Sequence, residues 1–259
     1  MANPQVKSAT RAIEILEYFK LAQQPRSMSQ MASDLGYPQS STTVMLKTLV
    51  NLGYLNFDRS TRDYFPTPKL TALGDWIPRV MFGSGQMIDA LNDLHAATGE
   101  GVFLGTKNDI YLQYSRTKES IHALRFHIDE GFMRPITLSA AGWILLSTLT
   151  EDKIDNIVRR ANIATQNPSE RTDTKTILAR IKEIHENGYA YAENMPLEGG
   201  STLALRLPAE LQGQPVALAL GGVTERFKKN FSEYKKALFA AAEAVKQDND
   251  FDLPVRISL

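Results

Sequence analysis

The chain has 259 residues, of which 43% are hydrophobic and 22% are charged, and its 29 basic residues balance 29 acidic residues. This length suits two globular domains, the zero net charge is unlike that of a strongly basic nucleic-acid binder, and the absence of cysteine excludes disulfides, thiolate nucleophiles and cysteine-ligated zinc. No run approaches the about 18 apolar residues that span a membrane, and the N-terminus lacks a secretory signal, so we expect a cytoplasmic protein with no membrane partner.

The first part of the chain carries three helical patterns in succession. Apolar residues recur at helical spacing between residues 9 and 21, which predicts a first helix. Ser27 precedes Gln30 by three residues, the spacing of a capping box, and Gly36 supplies a stop for this second helix. A third helix is predicted from Gln39 to Leu52, because its apolar residues fall on one face.

A short β-hairpin is predicted directly after the third helix. Residues 54–57 alternate as a strand does, residues 58–63 are polar and turn-like, and residues 64–67 can return as a second strand. Three helices, with a glycine-containing turn between the second and third, followed by a hairpin, describe a winged helix-turn-helix. We assign this domain to residues 1–77.

The third helix and the hairpin tip are the predicted DNA-binding surfaces. A helix fits the major groove, and short polar side chains near its N-terminal end reach base edges, while a wing meets phosphates or the minor groove. The predicted contacts are Gln39, Ser40, Ser41, Thr43, Lys47, Arg59 and Arg62. A helix start rich in Ser and Thr is also ordinary capping chemistry, so a small helical domain that binds protein is the alternative.

The pattern changes after Pro78. We predict a linker helix over residues 78–98, followed by a second domain over residues 99–259. Its strands are predicted at residues 101–106, 110–115, 121–126, 202–207 and 216–222, and its helices at 140–149, 172–187 and 231–248. Strands in sequential runs with helices between them give an α+β fold.

Several segments resemble the IclR family of transcription regulators. They are Ser8–Leu16, Met31–Ser41, Leu46–Leu55, Gly131–Pro135, Ser139–Gly142 and Asn187–Tyr189. The resemblance spans nearly the whole chain and implies a GAF-like effector domain, a homodimer or a tetramer built from dimers, and no catalysis. The sequence departs from the family pattern at Val44, where a basic residue is usual, and at Trp143, where Lys is usual.

The second domain carries candidates for an effector pocket. Ser139, Ala140 and Ala141 open a helix with small residues, and a helix N-terminus favours an anion such as a carboxylate; the alternative is an ordinary capped helix with close packing. The resemblance implies that Glu193, Ser201 and Thr202 lie near the pocket, and the aromatic residues that can add an apolar wall are Phe103, Tyr114 and Trp143. We therefore expect a small organic effector, a carboxylic or aromatic acid.

Catalytic motifs are incomplete. Ser115 and Lys118 have the Ser-x-x-Lys spacing of some acyl enzymes but lack the companion motifs, and the glycines at 99, 101 and 105 miss the dinucleotide-binding spacing. The four histidines form no recognised metal set. We expect no catalytic residues, metal or cofactor, and a DNA-binding regulator with a small-molecule effector. A protein–protein adaptor and an enzyme remain the alternatives.

Overall fold

The computed structural model describes residues 6–82, 85–195 and 197–245, and the chain divides into two compact units between Val80 and Met81. The first unit is built from short elements in the order α1 (Lys7–Ala22), β1 (Arg26–Ser27), α2 (Met28–Asp34), α3 (Gln39–Asn51), β2 (Leu55–Phe57), β3 (Asp63–Pro66), α4 (Pro68–Ala72) and α5 (Ile77–Phe82), the last crossing the division.

The predicted capping box sets the start of α2. The Ser27 hydroxyl accepts a hydrogen bond from the Gln30 backbone N–H at 3.3 Å, and the Gln30 side chain accepts one from the Ser27 N–H at 3.0 Å. These two bonds satisfy N–H groups that the first turn of a helix leaves free. The turn to α3 then passes through Gly36 in the left-handed conformation, with φ of 66°, which a glycine adopts without steric cost.

The hairpin β2–β3 follows α3, and β1 pairs with the other side of β3 in an antiparallel three-stranded sheet. The helices and the hairpin share one small core, made of Ile15, Phe19, Met31, Leu46, Leu49, Leu55 and Tyr64. The predicted winged helix-turn-helix is confirmed.

The second unit contains six strands and five helices among its described residues. In chain order they are α6 (Gln86–Thr98), β4 (Gly101–Asn108), β5 (Tyr111–Lys118), β6 (Met133–Pro135), α7 (Ala140–Leu146), α8 (Glu151–Ala164), α9 (Thr174–Asn187), β7 (Ala190–Glu193), β8 (Gly200–Leu211), β9 (Gln214–Val223) and α10 (Thr224–Glu243), with short 3₁₀ turns at Ile136–Leu138 and Pro168–Glu170.

All six strands form one antiparallel sheet in the order β6-β5-β4-β9-β8-β7. Successive residues of a strand point to opposite faces, so the sheet has a core on each side. Ala204, Ala217 and Ala219 lie on the face covered by α7, α8 and α9, while Leu203 and Leu218 lie on the face covered by α6 and α10. The α+β fold class is confirmed.

The structure differs from the predicted elements at several places, and strands β6 and β7 were not predicted. The predicted linker helix contains two helices, α5 and α6, and α6 buries Ala90, Leu91 and Leu94 in the second core. The predicted strand at residues 121–126 is irregular, because Ile121 and Leu124 are 73% and 68% exposed and have no face to bury. Helix α8 was not predicted, and the end of the last predicted helix, together with residues 246–259, lies outside the described residues.

Within the residues that the structure describes, no helix combines the length and hydrophobicity needed to cross a membrane.

Candidate DNA interface and effector cavity

Helix α3 turns its polar residues away from the core of the first unit. Gln39, Ser40 and Lys47 are exposed, and Ser41 and Thr43 are half-buried. The opposite face is held by the buried residues Thr42, Leu46 and Leu49. The helix is therefore anchored by one side and presents the predicted reading residues on the other.

The small hydroxyl groups of α3 are engaged with the helix backbone. The Ser41 hydroxyl donates to the Pro38 carbonyl at 3.0 Å, and the Thr43 hydroxyl donates to the Gln39 carbonyl at 2.8 Å. Such back-bonding uses the only proton of each hydroxyl and leaves it as an acceptor. The alternative interpretation, ordinary capping chemistry, therefore accounts for part of the role of Ser41 and Thr43.

The wing presents two exposed arginines, Arg59 and Arg62. Its turn is held by Asp58, whose carboxylate accepts hydrogen bonds from the Ser60 hydroxyl at 2.6 Å and the Ser60 N–H at 2.7 Å. These bonds hold the pKa of Asp58 below its usual value. Among residues 6–82, no acidic group pairs with Arg59, Arg62 or Lys47, so three cations of this unit are available to phosphates.

The second unit contains a cavity of about 120 Å³ on the α7 face of the sheet. Its floor is β-sheet backbone at Gly101, Gly200 and Gly221, and its aromatic lining includes Phe103 and Tyr114, whose ring centroids are 4.6 Å apart. A Cβ added at Gly200 would lie 3.2 Å from the ring of Phe126, which also lines the cavity. The glycines therefore leave a flat surface beneath aromatic side chains.

Arg134 is the distinctive polar group of the cavity. Its Nε donates to the Tyr114 hydroxyl at 3.2 Å, and its guanidinium lies 5.6 Å from the centre of the Phe132 ring. Burial raises the pKa of Tyr114, and the charge of Arg134 opposes that effect. In the described part of the chain, no carboxylate pairs with Arg134.

Four of the residues predicted to contact an effector line this cavity: Phe103, Tyr114, Ser201 and Thr202. The two neighbours on β8 contribute differently. The Ser201 hydroxyl lies 3.2 Å from the Tyr191 hydroxyl and 3.0 Å from that of Thr224, on the α10 face of the sheet. Its backbone alone can face the cavity, whereas Thr202 presents a side chain there.

The structure does not bring Ser139, Ala140 and Ala141 to the cavity. The Ser139 hydroxyl accepts from the Gly142 N–H at 3.1 Å, and the two alanines are fully buried. A Cβ at Gly142 would lie 1.9 Å from the Ile136 carbonyl oxygen. The small residues therefore allow α7 to approach the preceding turn, which is the close-packing alternative given above.

Two further predicted residues also lie away from the cavity. Trp143 donates through Nε1 to the Thr137 carbonyl at 2.7 Å, and the guanidinium of Arg180 covers its ring at 3.8 Å. Glu193 forms an ion pair with Lys228 at 2.7 Å. Both side chains are occupied by partners within the domain.

Sequence reasoning missed the polar group and the cover of the cavity. Arg134, Phe126 and Met195 line it, yet none was singled out. Arg134 lies on the three-residue strand β6, where it pairs with Leu112 of β5. The one signal in the sequence was that this basic residue precedes Pro135 in a segment that resembles the IclR family.

A winged helix-turn-helix and, in the same chain, an α+β domain with a cavity define the class of two-domain DNA-binding regulators. The model of the IclR helix-turn-helix domain matches residues 8–59, and the model of the bacterial transcriptional regulator IclR C-terminal domain matches residues 86–247. The chain belongs to the IclR family of bacterial transcriptional regulators. It is a DNA-binding transcription regulator and not an enzyme, which decides among the alternatives left by the sequence.

Known relatives extend over both domains. The effector domain of the regulator IclR from Acinetobacter sp. ADP1 is 46% identical, covers 64% of this chain and 96% of that chain, and has a TM-score of 0.60. The IclR structure from Thermotoga maritima covers 93% of this chain and 97% of that chain at 20% identity and a TM-score of 0.74, which shows a shared fold. KdgR from Escherichia coli is 22% identical over 84% of this chain and 83% of its own length.

Proposed function

We propose that the protein binds operator DNA through α3 and the wing, and that a small aromatic carboxylic acid in the cavity modulates this binding. The observation that carries the proposal is the combination of Arg134, without an acidic partner among the described residues, and the buried hydroxyl of Tyr114 in an aromatic cavity. A cavity lined in this way suits a ligand with an apolar body and one anionic end.

The size of the cavity supports a single ring. A cavity of about 150 Å³ in a protein interior accommodates benzene, and this cavity measures about 120 Å³. The glycine floor and the rings of Phe103 and Tyr114 favour a flat body over a bulky one.

The polar groups support a carboxylate. A guanidinium binds a carboxylate through two parallel charge-assisted hydrogen bonds, and Tyr114 can add a third through its own proton. The acidic residue of the lining, Glu119, contacts His127 and lies 3.5 Å from Arg125, so its charge is balanced locally. The side chain of Thr202 lines the cavity, and its hydroxyl can bind a ring substituent.

Regulation requires more than binding. A ligand shifts an equilibrium only if it prefers one of the two states, so the acid must bind more tightly to one arrangement of the DNA-binding units. We further propose a cytoplasmic homodimer, or a tetramer built from dimers, whose paired α3 helices lie about 34 Å apart or a multiple of it and read a palindromic site. The relative AllR from Salmonella typhimurium is named a repressor, which supports repression here.

Calorimetry on the full chain tests the cavity. We expect benzoate or a ring-hydroxylated benzoate to bind, and Arg134→Gln to weaken the binding by about 10- to 150-fold, the range for a hydrogen bond to a charged group of about 1.5–3 kcal/mol. The matched control is Arg116→Gln, which removes an arginine already paired with Glu130 at 3.2 Å and outside the cavity lining. Equal affinity of Arg134→Gln and the parent would contradict the proposed carboxylate contact.

Footprinting tests the regulatory link. The parent protein is expected to protect a palindromic duplex, and the acid that binds in calorimetry is expected to change the concentration needed for protection. An acid that binds without any effect on the footprint would remove the regulatory half of the proposal and leave the binding half intact.

A further inference from the structure

The outward face of α3 is more apolar than its run of small polar residues suggests. Val44 is 64% exposed in the middle of this helix. The Thr48 hydroxyl donates to the Val44 carbonyl at 2.9 Å, as the Thr43 hydroxyl does to Gln39. Both hydroxyls donate their proton to the helix backbone, so Thr43 and Thr48 offer a partner a methyl group and an acceptor oxygen but no donor.

Helical spacing places Val44 in the same strip as the residues proposed to meet DNA. Ser40 precedes it by four residues and Lys47 follows it by three, and all three side chains are exposed. The core-facing residues Leu46 and Leu49 lie on the other side of the helix. Val44 is therefore not part of the core, and it lies between two exposed polar neighbours on the helix surface.

DNA offers one apolar group at the floor of the major groove, the C5-methyl of thymine. We infer that Val44, flanked by the methyl groups of Thr43 and Thr48, contacts a thymine methyl group and is a specificity-determining residue of this regulator. The inference rests on the proposed role of α3 as the reading helix. It assigns part of the discrimination to apolar contact, because the protons of Ser41 and Thr43 are already donated within the helix and their hydroxyls remain only as acceptors.

The charge around this strip favours a DNA partner over an apolar protein surface. The ammonium of Lys47 and the guanidinium groups of Arg59 and Arg62 have no acidic partner among residues 6–82. A protein partner that buried Val44 would also have to bury or neutralise Lys47, one turn away. A DNA duplex supplies phosphates for the cation and a methyl group for the valine together.

The test removes single methyl groups from DNA. Full-length protein selects its preferred duplex from a randomised library, and each thymidine of that duplex is then replaced by deoxyuridine, which lacks only the C5-methyl. We expect the affinity to fall about fourfold for each contacted methyl removed, the value for one buried carbon, at one position in each half-site. Val44→Ala should bind the parent duplex more weakly and should not distinguish thymidine from deoxyuridine at that position.

The control variant is Leu52→Ala, which truncates another exposed apolar side chain, 52% exposed, at the C-cap of α3; it should keep the full response to deoxyuridine. A parent protein that is indifferent to deoxyuridine at every position overturns the inference, as does a Val44→Ala variant with the parent's response. If Lys47→Ala still weakens binding in that case, α3 remains the reading helix and only the methyl contact fails. Failure to enrich any duplex overturns both.

Discussion

The two units differ in where their proposed functional groups lie relative to the hydrophobic core. The winged unit has one small core, and its proposed functional groups, Val44, Lys47 and the wing arginines, all lie outside that core. The second unit has a core on each face of its sheet, and two of its proposed ligand contacts, Phe103 and Tyr114, belong to one of them. Surface variants of the first unit should therefore change DNA binding without changing stability. In the second unit, ligand binding and folding share the same buried residues.

The two units also differ in the burial of their charged residues. In the second unit Glu100 is fully buried, and its carboxylate accepts two hydrogen bonds from Arg226, at 2.7 and 2.9 Å, and one from the Tyr234 hydroxyl at 3.0 Å. The hydrogen bonds to Glu100 raise the pKa of Arg226. The winged unit instead leaves cations exposed. The Glu100–Arg226 pair serves the structure of the second unit, whereas the exposed cations of the first unit are available for DNA.

The largest effect is expected from Arg226→Ala, which leaves the buried Glu100 carboxylate without its cation. Breaking a buried pair in this way costs about 3–5 kcal/mol, and urea denaturation of the full chain would measure the loss in the free energy of unfolding. The control is Lys228→Ala, two residues along the same helix, whose partner Glu193 is exposed; it should leave the unfolding midpoint unchanged. Equal midpoints for the two variants would show that the buried pair is not a support of the fold.

The next effect tests the independence of the winged unit. Leu46 is fully buried in its only described core, and Leu46→Ala is expected to cost about 2–5 kcal/mol. Because a core this small cannot absorb such a loss, DNA binding should disappear at physiological temperature. Calorimetry with the acid should still show the parent's affinity in the second unit, and a loss of both activities would contradict the separation.

A smaller effect is expected from Lys47→Ala, which removes an exposed cation without disturbing the core. Binding should weaken across all sequences, and the slope of log K against log salt should fall by about 2 in magnitude for the proposed dimer, because each subunit loses one phosphate contact. Fluorescence anisotropy at several salt concentrations measures this slope. A variant that lost sequence preference while keeping the parent's slope would place Lys47 on a base and not on a phosphate.

The smallest effect separates the two faces of β8. Thr202→Val removes a hydroxyl on the cavity side and should weaken binding of a ring-hydroxylated acid by about 0.5–1.5 kcal/mol, the range for one hydrogen bond. Ser201→Ala removes a hydroxyl bonded to Tyr191 and Thr224 on the other side, so it should lower the melting temperature and leave affinity unchanged. The reverse assignment of the two effects would place the ligand on the α10 face.

The winged unit could be predicted from the sequence almost element by element. Its signals are local: a capping box at Ser27 and Gln30, a glycine turn, and one apolar face on α3. The central strands of the second unit and helix α9 were also predicted, because their apolar runs are long. Local pattern was sufficient wherever one element carried its own start, stop and buried face.

The cavity could be predicted only in part. Phe103, Tyr114 and Thr202 were named as contacts, but Arg134 reaches them through the pairing of β6 with β5, a tertiary feature with no local signal. The segment at 121–126 has apolar residues at strand spacing yet leaves Ile121 and Leu124 in solvent. The small residues of α7 were equally consistent with ligand access and with close packing, and only the position of the Ile136 carbonyl distinguishes the two.

The strand order has a consequence for synthesis of the protein on the ribosome. Strand β4 lies at the centre of the sheet between β5 and β9, and β9 ends at Val223, 115 residues after the end of β4 at Asn108. Translation at about 5–20 residues per second separates these two strands by roughly 6–23 seconds. During that interval the winged unit can already be folded, while the edge of β4 that later pairs with β9 has no strand to pair with. The nascent chain therefore passes through a stage that has a complete winged unit and an unfinished second sheet.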